Sequence, residues 1–472
     1  MDVLVVLVYL AAMIAFGFWG RRRVQSQSDF LVAGRRLGPM LYSGTMAAVV
    51  LGGASTIGGV GLGYQYGLSG MWLVVAIGVG ILVLSLAFAG RIQRLRVYTV
   101  GQMLELRYGP GSSVLSGVVM WAYTLMLAVT STIAYATIFA ALLDLGKVPS
   151  ILLGGTVVVI YSTLGGMWSI TLTDFVQFAI KTVGIFFLLL PIVLSRAGGW
   201  AGLQAALPVD AFSLTAIGGG TILTYFVIYT FGLLIGQDIW QRVFTARSPG
   251  VARWAGTAAG VYCLLYGVAG AVIGMSAKVL LPNLDAADDA FAHVVEATMP
   301  ALLAGLVLAA ALSAVMSTSS GALIATATVF GQDILGKLRG HTANGDEHAG
   351  DSRWLVAGFG VVMIAIACLL QDVVAALTVA YDILVGGLLV PIIGGLVWRR
   401  GTGTGALAAM GVGTVATLVT MFVVGDLYAN EPVYVGLATG LVAYVAGSLA
   451  ARPTDPEVLA EWDARSRTTV DA

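Results

Sequence analysis

Over and over along this chain some 20 residues pass with scarcely a charge, and those apolar runs decide what the sequence can fold into. A helix needs about 20 apolar residues to cross the hydrocarbon core of a bilayer. Runs of that kind lie near 2–20, 40–64, 70–90, 112–142, 148–166, 170–195, 217–240, 252–281, 299–330, 353–370, 372–398, 403–425 and 432–450. A water-soluble domain could not clothe its surface from a composition that is 58% hydrophobic and 10% charged, with a mean hydropathy of +0.94. The expectation is an all-α polytopic protein of about 13 transmembrane helices, held in the lipid bilayer of the cell membrane. The opening "MDVLVVLVYLAAMIAFGFWGRRR" carries its arginines behind the apolar run, so it reads as a first spanning helix and not as a secretory leader.

The charges are few but ordered. With the N-terminus outside, 20 of the 24 basic residues fall on the cytoplasmic side, against Lys147, Arg196 and Lys278 outside and Lys181 within a span. Basic residues collect in cytoplasmic loops, so this orientation is expected, with the tail 451–472 inside. Basic and acidic residues balance at 24 each and no basic run is long, which argues against a nucleic-acid partner. Cys263 and Cys368 both sit in apolar stretches and read as small hydrophobes. His293 falls in an outer loop and His341 and His348 in an inner one, so metal or proton chemistry by histidine inside the membrane is not expected.

Two stretches carry polar chemistry into the apolar runs. The second span contains "LGGASTIGGVG", and glycine-interrupted spans tolerate unwound backbone where it lines a cavity. The ninth contains "ALSAVMSTSSGALIATATVF", with Ala314, Ser317 and Thr318 at i, i+3 and i+4 on one helical face. Two hydroxyls beside a backbone carbonyl suit a hard cation such as sodium. The carbonyls of Ala48 and Leu51, released by unwinding at Gly52 and Gly53, would complete the site. The competing reading is that these hydroxyls bond back to their own helix or to a neighbour.

"SDFLVAGRRLGP", "STLGGMWSITLTDFVQ", "QRVFTARS" and "LAAALSAVMSTSSG" followed by "GQDIL" resemble, in order and spacing, the sodium/solute symporter family, whose members carry proline, glucose, sialic acid, pantothenate or choline. The resemblance implies a leucine-transporter-type fold with two inverted repeats of five helices, within 40–195 and 196–398. The remaining segments are a first helix and inner loop (1–39), two additional C-terminal helices (399–450) and the tail. It implies a sodium site at Ala48, Leu51, Ala314, Ser317 and Thr318, and a place for Asp174 on the route by which sodium leaves inward. Three positions depart from the family: Val50 stands where relatives carry Asp or Asn, Gly321 follows Ser320 where some bind a second sodium, and Gly232 and Leu233 replace the aromatic gate of sugar carriers. One sodium and a solute other than a sugar are expected.

Solute sites in that fold lie near the midplane. Candidates are Gly53, Ser55 and Thr56 on the second span, Trp121 and Thr124 on the fourth, Tyr225 and Tyr229 on the seventh, and Tyr381 and Asp382 on the eleventh. An ionised carboxylate within a span needs a cation or water beside it, and Lys181, away from the expected cavity, is a poor partner for Asp382. A substrate amine or quaternary ammonium amid tyrosine faces would supply that charge. A monocarboxylate or amino acid, driven by sodium or protons, is the alternative. A channel would show a repeated filter segment, and an enzyme would need convergent acid, base or metal groups. Neither pattern is present, and a sodium-coupled symporter, monomeric or loosely homo-oligomeric, is the expectation.

Overall fold

A straight helix of 41 residues would reach about 60 Å, twice the ~30 Å of a hydrocarbon core. Yet helical backbone runs over Ala54–Arg94 (α3, 41 residues) and over Lys147–Arg196 (α5, 50 residues). Each is interrupted by a glycine in a conformation that side chains avoid: Gly67 has φ +62° and Gly166 has φ +52° with ψ −136°. A side chain at either position would strike backbone, the carbonyl of Ala211 at Gly67 and that of Phe30 at Gly166.

The computed structural model describes residues 2–143, 145–339, 349–370, 373–425 and 429–467; His341 and His348 lie outside them. The principal helices, besides α3 and α5, are α1 (Asp2–Arg21), α2 (Pro39–Val50), α4 (Pro110–Ile133), α6 (Gly219–Ile235), α7 (Gln237–Thr245), α8 (Pro249–Leu280), α9 (Ala301–Leu338), α10 (Ala349–Leu369), α11 (Val373–Val397), α12 (Gly403–Val424) and α13 (Glu431–Ala450). No strand occurs among the described residues. Ten of these helices are long and apolar enough to cross a membrane, or eleven if α6 and α7, bent 45° at Gly236, form one crossing. The difference from the expected 13 has a physical source: α3 and α5 each continue through a glycine break, and α2, at 12 residues, is parted from α3.

Helices α9 and α11 form the centre, 78% buried over their apolar windows, whereas α10, α12 and α13 are 28% buried and present side chains outward. At the centre lies α7, every residue of which is buried although four are Gln237, Asp238, Gln241 and Arg242. Gln237 accepts from the Val100 amide (2.8 Å) and donates to the Tyr98 carbonyl (2.9 Å). Gln241 donates to the Leu31 carbonyl (2.8 Å) and to Thr328 Oγ1 (2.9 Å). Just past α7, Ala246 pairs with Leu37 in a parallel bridge: the Leu37 amide donates to the Thr245 carbonyl, and the Arg247 amide to that of Leu37, each at 3.0 Å. Thus "SDFLVAGRRLGP" and "QRVFTARS", some 200 residues apart, are stitched together.

Candidate solute and cation site

Helix α2 ends because Leu51, with φ −97° and ψ +71°, leaves helical geometry, and the chain turns helical again at Ala54. Gly52 lets α9 come close at this point, since a Cβ there would lie 2.6 Å from Thr318 Oγ1. The carbonyls at the end of α2 are freed from the helical ladder and must find other donors. Ser317 Oγ lies 2.8 Å from the Ala48 carbonyl and 3.0 Å from that of Ala314, within donating distance of both. Thr318 Oγ1 donates to the Val49 carbonyl (2.7 Å) and lies 3.3 Å from that of Ala314. The structure therefore gathers Ala48, Ala314, Ser317 and Thr318, with Leu51 joined to the group by a further side chain. Uncharged oxygens from two helices fit a hard monovalent cation.

The joining side chain is Lys181, on α5 and fully buried. Its Nζ donates to the carbonyls of Ala48 (3.0 Å) and Leu51 (3.1 Å). Lys181 is thus spent on these carbonyls, and no bond joins it to Asp382 among the described residues. What the sequence withholds is the side of α5 on which it points.

The other hydroxyls of α9 follow the competing reading, on their own helix or on a neighbour. Ser320 and Thr326 bond back to carbonyls of their own helix. Ser319 shares a bond with Thr132 (2.9 Å), and Thr328 receives Gln241. Gly321 has a role of its own, because a Cβ there would fall 2.8 Å from an Arg242 nitrogen. That guanidinium meets Asp174 at 3.1 Å, both side chains fully buried, and Thr45 also donates to Asp174.

Three of the four aromatic candidates come together, and the fourth does not. Tyr229 stands between Tyr225 and Tyr381, ring centres 5.9 and 5.6 Å apart. Tyr381 also meets Tyr123 edge-on at 5.2 Å, and it fills the space that Gly232 leaves, where a Cβ would be 2.6 Å from its ring. An aromatic surface thus reaches the position of the missing gate residues from α11 instead of α6. Trp121 faces elsewhere, against Phe330 and Phe359. Two residues along an α-helix turn through about 200°, so Trp121 and Tyr123 point to opposite sides of α4. Thr124 spends its hydroxyl on its own helix, Ser55 on the Val50 carbonyl (3.3 Å), and Thr56 on Tyr266 (2.9 Å). Gly53 sits beside Val315 and Ala134.

Asp382 is fully buried, and neither of its carboxylate oxygens has a hydrogen-bond partner among the described residues. Gly386 and Gly387, one turn farther along α11, pack on Thr417 and Thr414 of α12. The residues that sequence reasoning passed over are Lys181, Tyr123 and Asp238, the last 3.4 Å from the Tyr123 hydroxyl just beyond the bend at Gly236.

The family model described as "Sodium:solute symporter family" matches residues 30–413. A sodium/proline symporter of Staphylococcus aureus (strain NCTC 8325 / PS 47) is 24% identical over 481 residues, covering 95% of this chain and 93% of the relative. Among solved structures, a substrate-bound, outward-open Na+-coupled sialic acid symporter superposes with a TM-score of 0.85 at 18% identity, over 96% of this chain and 98% of that one. The nucleobase-cation-symport-1 family transporter Mhp1, closed with bromovinylhydantoin bound, gives 0.53 at 15% identity, over 94% and 99%.

Proposed function

Because the chain belongs to the sodium:solute symporter family and is a sodium-coupled carrier of a small solute, we propose that sodium binds among Ala48, Leu51, Ala314, Ser317 and Thr318. The observation that carries this reading is the meeting of the α9 hydroxyls with the carbonyls of a helix broken at Leu51. Sodium moving inward down a potential of 100 mV releases about 2.3 kcal/mol per charge, and its concentration gradient adds to that. Asp174, held by Arg242 beneath the site, stands on the proposed inward route and parts from its partner when the site opens to the cytoplasm. Replacing Ser317 and Thr318 together by Ala tests the site. Apparent sodium affinity in proteoliposome uptake falls severely while the protein remains monodisperse, and an unchanged sodium dependence refutes the assignment.

For the solute we propose a small amine or quaternary ammonium compound. Its support is Asp382, a buried carboxylate lacking a protein partner among the described residues, next to Tyr381 in the chain and near enough to Tyr229 to act on it electrostatically. Aromatic faces and a carboxylate attract a desolvated cation together. The likeness to sodium/proline symporters favours a second reading, an amino acid whose ammonium group meets Asp382.

The architecture proposed with this function has thirteen spans. It splits α3 at Gly67 and α5 at Gly166, and joins α2 to the first part of α3 and α6 to α7 as two broken crossings. The inverted repeats would then lie within 40–195 and 196–398, with the N-terminus outside, the C-terminus cytoplasmic and the carrier monomeric or loosely associated.

A further inference from the structure

The two carbonyls that a sodium ion needs at the end of α2 are already held by a positive charge belonging to the chain. Lys181 Nζ donates to Ala48 at 3.0 Å and to Leu51 at 3.1 Å, and Ser317 Oγ also lies within donating distance of Ala48. A carbonyl oxygen has two lone pairs and an ammonium group has donors only, so the Ala48 carbonyl is filled and the ammonium sits where a cation belongs. We propose that Lys181 is a tethered cation that occupies the sodium site and competes with sodium for the carbonyls of Ala48 and Leu51. The inference rests on the reading that sodium binds at these residues.

Burying an ammonium is costly unless its surroundings compensate it, and here the negative ends of two backbone dipoles do so. The ionisable groups that face Lys181 are Asp174, on its own helix, and Cys263, on α8. Arg242 of α7 reaches Asp174 and not the lysine carbonyls. Helix α2 carries Tyr42 alone among titratable residues, and the Ala301–Val329 part of α9 carries none. No carboxylate therefore lies between the ammonium and the carbonyls to draw it away, and the cage itself holds it.

Two like charges cannot share a cage a few ångströms wide, so sodium enters only as the lysine withdraws. The arrangement also answers a need of the empty carrier. The Leu51 carbonyl, freed by the break, would be orphaned in a buried site once sodium has left, and that of Ala48 would have Ser317 alone; Lys181 serves both in sodium's place. An apolar residue at 181 would leave the Leu51 carbonyl unpaired, and Ala48 with Ser317 alone, whenever sodium is absent.

The test is binding of radioactive sodium to purified protein at one fixed pH, by scintillation proximity, with no transport required. It compares the wild type, Lys181→Met, Lys181→Gln, the Ser317→Ala/Thr318→Ala pair, and the pair combined with Lys181→Met. Lys181→Met is expected to tighten sodium binding tenfold or more, and the added hydroxyl losses to abolish that gain. Lys181→Gln keeps donors for the carbonyls without the charge, and is expected to tighten binding too, so it carries the test if the methionine variant does not fold. Sodium affinity equal to or weaker than wild type in a monodisperse Lys181→Met or Lys181→Gln protein overturns the proposal. If the Ser317/Thr318 pair loses sodium while Lys181→Met leaves affinity unchanged, the site stands and the tethered cation falls. If sodium binds the wild type and ignores the loss of both hydroxyls, the site itself is elsewhere and the proposal falls with it.

Discussion

Arg242 and Asp174 meet at 3.1 Å with no solvent on either side chain, and neutralising one partner should unlatch the region beneath the proposed sodium site. Breaking a buried pair by removing one charge costs about 3–5 kcal/mol, because the other charge stays buried without compensation. Shifting a two-state equilibrium from 99:1 to 1:99 takes about 5.5 kcal/mol, so half of that brings a state held at 99 parts in 100 to an even mixture. Asp174→Asn therefore suffices to populate the opened state to about half or more. Removing both charges, with Asp174→Asn and Arg242→Gln, should cost less than removing one. Ala325, buried one turn beyond Gly321 on α9, provides the reporter as Ala325→Cys in a Cys263→Ser/Cys368→Ser background. A polar maleimide should label this cysteine in detergent about fifty times faster once Asp174 is neutralised, following the open fraction from one part in 100 to a half. The double variant should label at an intermediate rate. Labelling of a monodisperse Asp174→Asn protein at the parental rate would mean that the pair latches nothing.

Other perturbations read the remaining features. Asp382→Asn should abolish sodium-driven uptake of amines and amino acids and spare a monocarboxylate, whereas loss of every solute alike would give Asp382 a structural role. Gly232→Ala pushes into the Tyr381 ring, so solute affinity in competition uptake should fall while sodium affinity holds. Gly67 and Gly199 both have positive φ, but a Cβ at Gly67 lands 2.0 Å from the Ala211 carbonyl and one at Gly199 meets nothing. A strained backbone costs about 1–3 kcal/mol, so Gly199→Ala should lower the thermal midpoint modestly and Gly67→Ala clearly more.

Helical periodicity made the Ala314, Ser317 and Thr318 face readable, and the glycines of "LGGASTIGGVG" marked the break that meets it. The same reasoning treated two intramembrane charges unequally. An ionisable residue within a span is expensive wherever it sits, and that rule, applied to Asp382, holds for Lys181 as well. Its target stayed hidden because sequence gives a side chain's angle about its helix and not the neighbour it meets. Arg242 was counted with cytoplasmic charge, yet it is buried against Asp174, since a short polar helix looks the same in sequence whether water or protein surrounds it. Trp121 stood among the candidates and Tyr123 did not, and about 200° of helical rotation separates them.

Helix α7 also bears on how the chain is made. Arg or Asp at the centre of an inserting helix costs about 2.5–3.5 kcal/mol, so a segment holding Gln237, Asp238, Gln241 and Arg242 would not leave the translocon for lipid alone. Most of its partners precede it in the chain: the Leu31 carbonyl, the backbone of Tyr98 and Val100, and Asp174. They have left the ribosome before α7 emerges, and among the described residues bonded to its polar side chains only Thr328 is still to come. The first half of the protein thus serves as the solvent into which α7 is delivered, and variants that displace those partners should be cleared during synthesis, before any transport cycle begins.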